Sequence, residues 1–278
     1  EVLNEAKTIA SKKKAAKYRK DLRKLNFATI DGEDAKDFDD AIYCLKNSNG
    51  FTLYVAIADV SFYVNPGSKI DREAKKRGTS IYFPETVIPM LPENLSNGIC
   101  SLRPNEDRCS MICEMSIGLD GKRNKYKFYS GLINSKARLT YNQVEKHLNK
   151  SSSIKQAGVR DSIKHLKDLT NLRLKLRNQR KALEINPMET TLELNESKEV
   201  KNIVLKKSLF AHKLVEESML LANESAAEFM QDRLNLGVYR IHEDPDPSKL
   251  EALKKHFKIS PKQVKKLSSL EVVNLCLD

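Results

Sequence analysis

Asp31, Asp37, Asp39 and Asp40 fall within ten residues of this chain, in the stretch TIDGEDAKDFDDAIY, Thr29–Tyr43. Residues two apart on an extended backbone face the same way, so Asp37 and Asp39 would present their carboxylates together. Gly32 lets the chain turn tightly after Asp31. Carboxylates this close repel one another unless a cation neutralises them. An all-oxygen donor set suits magnesium or manganese better than zinc. A calcium loop counted from Asp31 would need Gly at its sixth place and Glu at its twelfth. Lys36 and Ile42 stand there instead, and counts from Asp34 or Asp37 fail as well. The competing reading is a solvated acidic turn. Phe38 and Ala41-Ile42 interrupt the charges with apolar groups, as a packed loop would, yet spacing alone leaves the two readings level.

The elements around the loop follow from pattern. Phe27–Asp31 reads as a short strand running into the acidic loop. Ala41–Leu45 and Phe51–Val60 flank the turn former Asn47-Ser48-Asn49-Gly50 and read as a hairpin. A second hairpin, Met111–Leu119 with Lys125–Ile133, alternates around Asp120-Gly121. Residues 5–25 read as a basic helix, with further helices over 67–78, 141–149, Val159–Leu183, Leu209–Leu234 and 248–257. Strands are expected near 190–206, and Ser80–Pro92 is too proline-rich for a helix. Strands gather in the first half and long helices in the second, so the fold class is α+β, a mixed sheet with hairpins followed by packed helices. The division expected is a basic helical segment over 1–25 and a partial catalytic domain over 26–278.

The chain has 278 residues and a formal net charge of +12. That balance draws it toward polyanions, nucleic acid first and an anionic membrane surface second. No apolar run approaches the roughly eighteen residues a membrane span needs. The opening EVLNEAKTIASKKK lacks the apolar core of a signal peptide, although the first residue is not Met. Five cysteines, Cys44, Cys100, Cys109, Cys113 and Cys276, form no CxxC pair, which argues against a disulfide framework and a structural zinc site. Small buried thiols in a reducing cytoplasm are the simpler reading.

Four blocks together resemble the catalytic (RNB) domain of the ribonuclease II/R family: TIDGEDAKDFDDAIY, VAIADVSFYV over 55–64, RGTSIYFPETVIPMLPENLSNGICSL over 77–102 and SKARLTYNQV over 135–144. The second and third sit nearer the ribonuclease R branch, and the likeness runs from about Asp21 to His242. The resemblance implies processive 3′→5′ hydrolysis of single-stranded RNA to nucleoside 5′-monophosphates. It also implies that Asp31, Asp37, Asp39 and Asp40 hold magnesium, with manganese as a substitute. Asp39 matches the position most critical for cleavage. Tyr82 matches a tyrosine that stacks near the RNA 3′ end, while Tyr141 and Glu216 match residues that contact the terminal riboses. Without the resemblance Tyr82 would pass for a half-buried core tyrosine, and Glu216 for an ordinary helix charge beside Glu217. Arg240 and His242, in YRIHEDP, also resemble a family segment but carry no assigned role. Implied partners are the 3′ end of single-stranded RNA and an RNA helicase or other RNA-decay protein, in the cytoplasm, with no membrane.

Departures from the pattern are visible. Ile185 stands where the family usually carries the aromatic partner of the stacking clamp. Nothing reads as the family's flanking oligonucleotide-binding barrels, and no SPIRRY-like arginine segment occurs before Asp278. The sequence therefore reads as truncated within the domain, with weak or absent activity expected of this piece alone. Two other function classes are an RNA-binding or scaffold module of an RNA-decay assembly without cleavage, and a basic helical protein that docks on another protein.

Overall fold

The computed structural model describes residues 1–11, 18–83, 86–151, 154–180, 189–195, 197–206, 208–237, 239, 241, 243–260, 264 and 267–277. The chain divides into two compact units, residues 1–170 with 208–225, and residues 171–207 with 226–278. The expectations placed on Ile185, Arg240 and His242 lie outside the described residues.

The first unit is built on a seven-stranded mixed sheet. Its strands are β1 (Lys20–Asp21), β2 (Ala28–Asp31), β3 (Asp40–Asn47), β4 (Gly50–Ala58), β7 (Asp107–Ile117), β8 (Arg123–Asn134) and β9 (Ala137–Thr140), ordered β1-β8-β7-β4-β3-β2-β9. A separate two-stranded ribbon joins β5 (Ile81–Tyr82) to β6 (Val87–Ile88). Both expected hairpins form. β3 pairs with β4 from Asp40↔Ile57 to Asn47↔Gly50, and β7 pairs with β8 from Asp107↔Asn134 to Ile117↔Arg123. The first turn depends on Gly50. Its φ is +134°, and a Cβ there would lie 2.1 Å from the Ile117 carbonyl oxygen, so no other residue fits without moving the backbone.

Two pairings are parallel and join residues distant in sequence. β2 lies beside β9, with Asp31 opposite Thr140, and β1 lies beside β8. On one face of the sheet the row Ala41, Ala56 and Ile112 is fully buried, under a cluster containing Phe27, Leu95 and Leu102. Helix α1 (Val2–Ser11) adds Ala6 to that cluster, and α3 (Lys69–Arg77) adds Ile70. The short helix α2 (Val60–Tyr63) follows directly after β4.

Beyond Ile42 the outer edge of β3 has no strand partner among the described residues. Helix α5 (Ala157–Gln179) covers it, where the Cys44 N–H donates to Ser162 Oγ at 2.9 Å. Helix α4 (Tyr141–Leu148) starts at Thr140 with a full capping box to Gln143. Helix α6 (Phe210–Leu234) is tied to α4 by its Ala211 N–H, which donates to Glu145 Oε2 at 3.0 Å. Its residues Ala211, Leu214, Ser218, Leu221 and Ser225 form the buried stripe expected of an amphipathic helix.

The second unit carries the antiparallel pair β10 (Glu189–Leu194) and β11 (Val200–Lys206). It also holds α7 (Pro247–His256), capped by Asp246, and α8 (Ser269–Leu277). Among the described residues no helix is long and apolar enough to cross a membrane.

The expected basic helix over 5–25 is corrected. Helix α1 ends at Ser11, and Lys20–Asp21 are strand. Intrinsic propensity favours a helix through this segment, but tertiary contacts on Arg19 override it. Its guanidinium lies 4.3 Å from the Phe62 ring centre and 2.5 Å from Asp59 Oδ2, the two side chains being 7 % and 8 % exposed. It also donates to the Ser110 carbonyl at 3.2 Å. Asp59 in turn caps α2 by accepting from the Phe62 N–H at 3.2 Å. Removing one partner of a buried pair leaves a desolvated charge. Arg19→Ala or Asp59→Ala should each cost about 3–5 kcal/mol in urea denaturation, and the double variant less than their sum. Additive losses would show that the two charges do not depend on each other.

Candidate metal and RNA site

Asp31 is the last residue of β2 and Asp40 the first of β3, so the antiparallel strand pair delivers both carboxylates to one end of the sheet. Asp37 and Asp39 sit on the connecting loop 32–39. Phe38 between them is buried, which turns its neighbours outward as a packed loop requires. The loop is gripped at its start by β9. Arg138 Nη2 donates to the Gly32 carbonyl at 2.8 Å and to that of Glu33, and its guanidinium lies 5.6 Å from the Phe38 ring centre. Asn142 Nδ2 donates to Glu33 Oε1 at 2.9 Å.

The four carboxylates share one electrostatic neighbourhood. Burial raises the Asp40 carboxyl to about 7, with Asp31 and Asp39 adding to the rise. Burial raises Asp31 to about 6; Arg138 opposes the rise, while Asp37 and Asp39 add to it. Asp39 is raised as well, by burial first and by Asp37 second. Asp31 Oδ2 is buried without a hydrogen-bond partner. An orphaned buried oxygen among mutually repelling carboxylates fits a hard divalent cation, which neutralises charge and accepts oxygen donors. Among the described residues, no three Asp, Glu, His or Cys side chains already close on a single point as a finished cage.

Two expected tyrosines reach this cluster. The Tyr82 hydroxyl donates to Asp37 Oδ2 at 3.3 Å while its side chain stays 66 % exposed. The Tyr141 phenol, at the start of α4, is raised to about 12 by burial and then by Asp31 and Asp40. Its ring stacks on His212, with centroids 4.0 Å apart and planes at 15°. His212 Nδ1 accepts from the Leu209 N–H at 3.0 Å, which makes Nδ1 the unprotonated ring nitrogen. Glu216 lies one turn further along α6, half-exposed and 3.4 Å from Lys213 Nζ, while Glu217 beside it is buried. Tyr82 and Tyr141 thus meet the acidic cluster, and Glu216 stands on the helix that carries the stacked His212. Sequence reasoning missed Arg138, His212 and the buried Ser101. Ser101 and Arg138 lie inside the blocks that carried the resemblance, which was the available signal, whereas His212 lies outside them on α6.

The family model of the RNB domain matches residues 19–276. The chain belongs to the RNB domain family. Among curated RNB proteins it is 46 % identical to ribonuclease R of Escherichia coli over 231 residues, covering 82 % of this chain and 28 % of that protein. It is 46 % identical to ribonuclease R of Thermotoga maritima over 261 residues, covering 92 % of this chain and 37 % of that protein. The RNB fold superposes on Mycoplasma genitalium RNase R, solved in complex with ribose methylated single-stranded RNA, with a TM-score of 0.88. The identity there is 34 %, covering 100 % of this chain and 47 % of that one. A yeast pseudonuclease shares the fold at 16 % identity and a TM-score of 0.69. The chain therefore spans less than half the length of these ribonuclease R relatives.

The raised carboxyls fix a pH response. A carboxyl whose folded value lies above its ordinary one stabilises the fold while protonated, and that contribution is lost as pH rises through the folded value. For Asp31 and Asp40 the loss begins as pH rises past the ordinary value of 3.8 and is complete above about 6 and about 7. In the presence of a chelator the melting temperature should fall between roughly pH 4 and 7, and magnesium should restore it more at the upper end. Melting curves at both pH values, with and without magnesium, check this. An equal rise at both ends would disconnect the ion from these carboxyls.

Proposed function

We propose that this chain is part of the catalytic domain of a magnesium-dependent 3′→5′ exoribonuclease. In this reading it acts processively on single-stranded RNA in the cytoplasm and releases nucleoside 5′-monophosphates. The observation that carries the reading is the set of four electrostatically coupled aspartates with two tyrosines against them. Support comes from the ribonuclease R relatives and from the solved Mycoplasma genitalium RNase R complexes, one with ribose methylated single-stranded RNA and one with double-stranded RNA.

In this reading Asp31, Asp37, Asp39 and Asp40 hold the cation, with manganese able to replace magnesium. A bound divalent ion would supply an activated water and neutralise charge on the scissile phosphate. The chain's own residues do the rest. The exposed Tyr82 ring stacks on a base near the 3′ end, a contact worth about 1–3 kcal/mol and open to any base. Tyr141 donates its phenolic proton to a terminal ribose, and Glu216 accepts from a 2′-hydroxyl, the group that separates RNA from DNA. With a net charge of +12, the chain concentrates the polyanion around its acidic site. An RNA helicase or another RNA-decay protein is the protein partner this reading favours.

The second reading is an RNA-binding or scaffold module without cleavage. One observation favours it: a yeast pseudonuclease has this fold. Retention of all four aspartates favours the enzyme.

The test is magnesium-dependent digestion of a single strand labelled at its 3′ end, run with the chain in excess over RNA so that the weak activity expected of this piece is still read. The label should leave first as a mononucleotide, and Asp39→Asn should lower the rate by at least about a hundredfold. RNA affinity of that variant, measured by fluorescence anisotropy, should stay within about threefold of the parent, because backbone contacts dominate binding. Labelled oligonucleotides as first product, or an undiminished rate in the variant, would defeat the proposal.

A further inference from the structure

Phe38 separates two of the four aspartates, and its backbone is bound on both sides. Its N–H donates to Ser101 Oγ at 3.0 Å, and its carbonyl accepts from the Leu102 N–H at 2.8 Å. The same Ser101 hydroxyl donates to the Lys36 carbonyl at 2.8 Å. The Asp39 carbonyl accepts from the Ala58 N–H at 2.8 Å. The peptide units on either side of Asp37 and Asp39 are therefore fixed, while both carboxylates stay out of these bonds.

Ser101 is itself held. It is fully buried, and its carbonyl accepts from Arg108 Nε at 2.8 Å. Arg108 is nearly buried, and its Nη2 also donates to the Gly98 carbonyl at 3.3 Å. A serine hydroxyl has one proton to give and lone pairs to accept with. Here both functions are spent on the loop, one on each side of Asp37. A buried serine that only filled space could be satisfied by a single bond to its own segment. This one bridges to a segment 63 residues away in sequence.

We infer that Ser101 is a positioning residue for the cation site. Its hydroxyl sets the spacing between the Asp37 and Asp39 carboxylates, with Arg108 holding it from behind. The inference rests on the metal-site reading proposed above. Groups that orient metal ligands typically change metal affinity by about 10–100-fold when removed.

Manganese titration of the whole chain, followed by the electron paramagnetic resonance signal of free Mn²⁺, tests it. Wild type should bind and Asp39→Asn should not. Ser101→Ala and the nearly isosteric Ser101→Cys should bind about tenfold more weakly, with far-ultraviolet circular dichroism unchanged. Ser101→Cys decides the matter if the alanine variant does not fold. A folded serine variant with wild-type affinity overturns the role of Ser101 and leaves the metal reading standing. Absence of binding by wild type overturns both. Failure of both serine variants to fold also overturns the inference, since the hydroxyl would then serve stability and not cation geometry.

Discussion

The constraint that organises this molecule is repulsion among carboxylates brought together where water is scarce. Asp31 and Asp40 lie at the ends of adjacent strands, and burial moves both toward neutrality; neighbouring carboxylates add to the effect and Arg138 opposes it at Asp31. A flexible loop would relieve such strain by swinging its charges into solvent. Here the backbone of the loop is fixed, although Asp39 itself stays exposed. Arg138 grips its first turn, Ser101 and Leu102 hold its middle, and β4 takes the carbonyl of Asp39. The electrostatic cost is offset by packing and hydrogen bonds elsewhere in the unit, as is common where a fold stores unfavourable charge for chemistry.

Rigidity and exposure are divided between residues. The backbone carrying the aspartates is bonded on every side, whereas the Tyr82 side chain stands mostly in solvent on a two-stranded ribbon. Tyr141 is intermediate, packed on His212 yet close enough to feel two of the carboxylates. Fixed charge and an open aromatic ring are thus separated onto different elements of the site.

Much of this was open to reading before the structure. The hairpins declared themselves because Asn49-Gly50 and Asp120-Gly121 interrupt alternating strands, and α6 because it has no breaker. The aspartates were visible, but spacing alone could not separate a metal site from a solvated turn. The four blocks did that by resemblance. The leading segment was misjudged because helix propensity is local, while Arg19 responds to Asp59 and Phe62, forty residues on. The serine bracket and the Tyr141–His212 stack were hidden for the same reason. Each joins residues more than sixty apart, and no periodicity records such a meeting.

The parallel pairing of β2 with β9 has a consequence for the order of events in synthesis. Asp31 finds its sheet neighbour only when Thr140 is present, and the turn after Asp31 is held by Arg138 from the same late segment. A loop of that length is slow to close and is not formed by local structure. A nascent chain that has made both aspartate-bearing strands still lacks the contacts that gather their carboxylates. The acidic cluster thus completes its contacts only once a segment 106 residues on from Gly32 is in place, so its geometry belongs to the whole sheet and not to the hairpin that follows it.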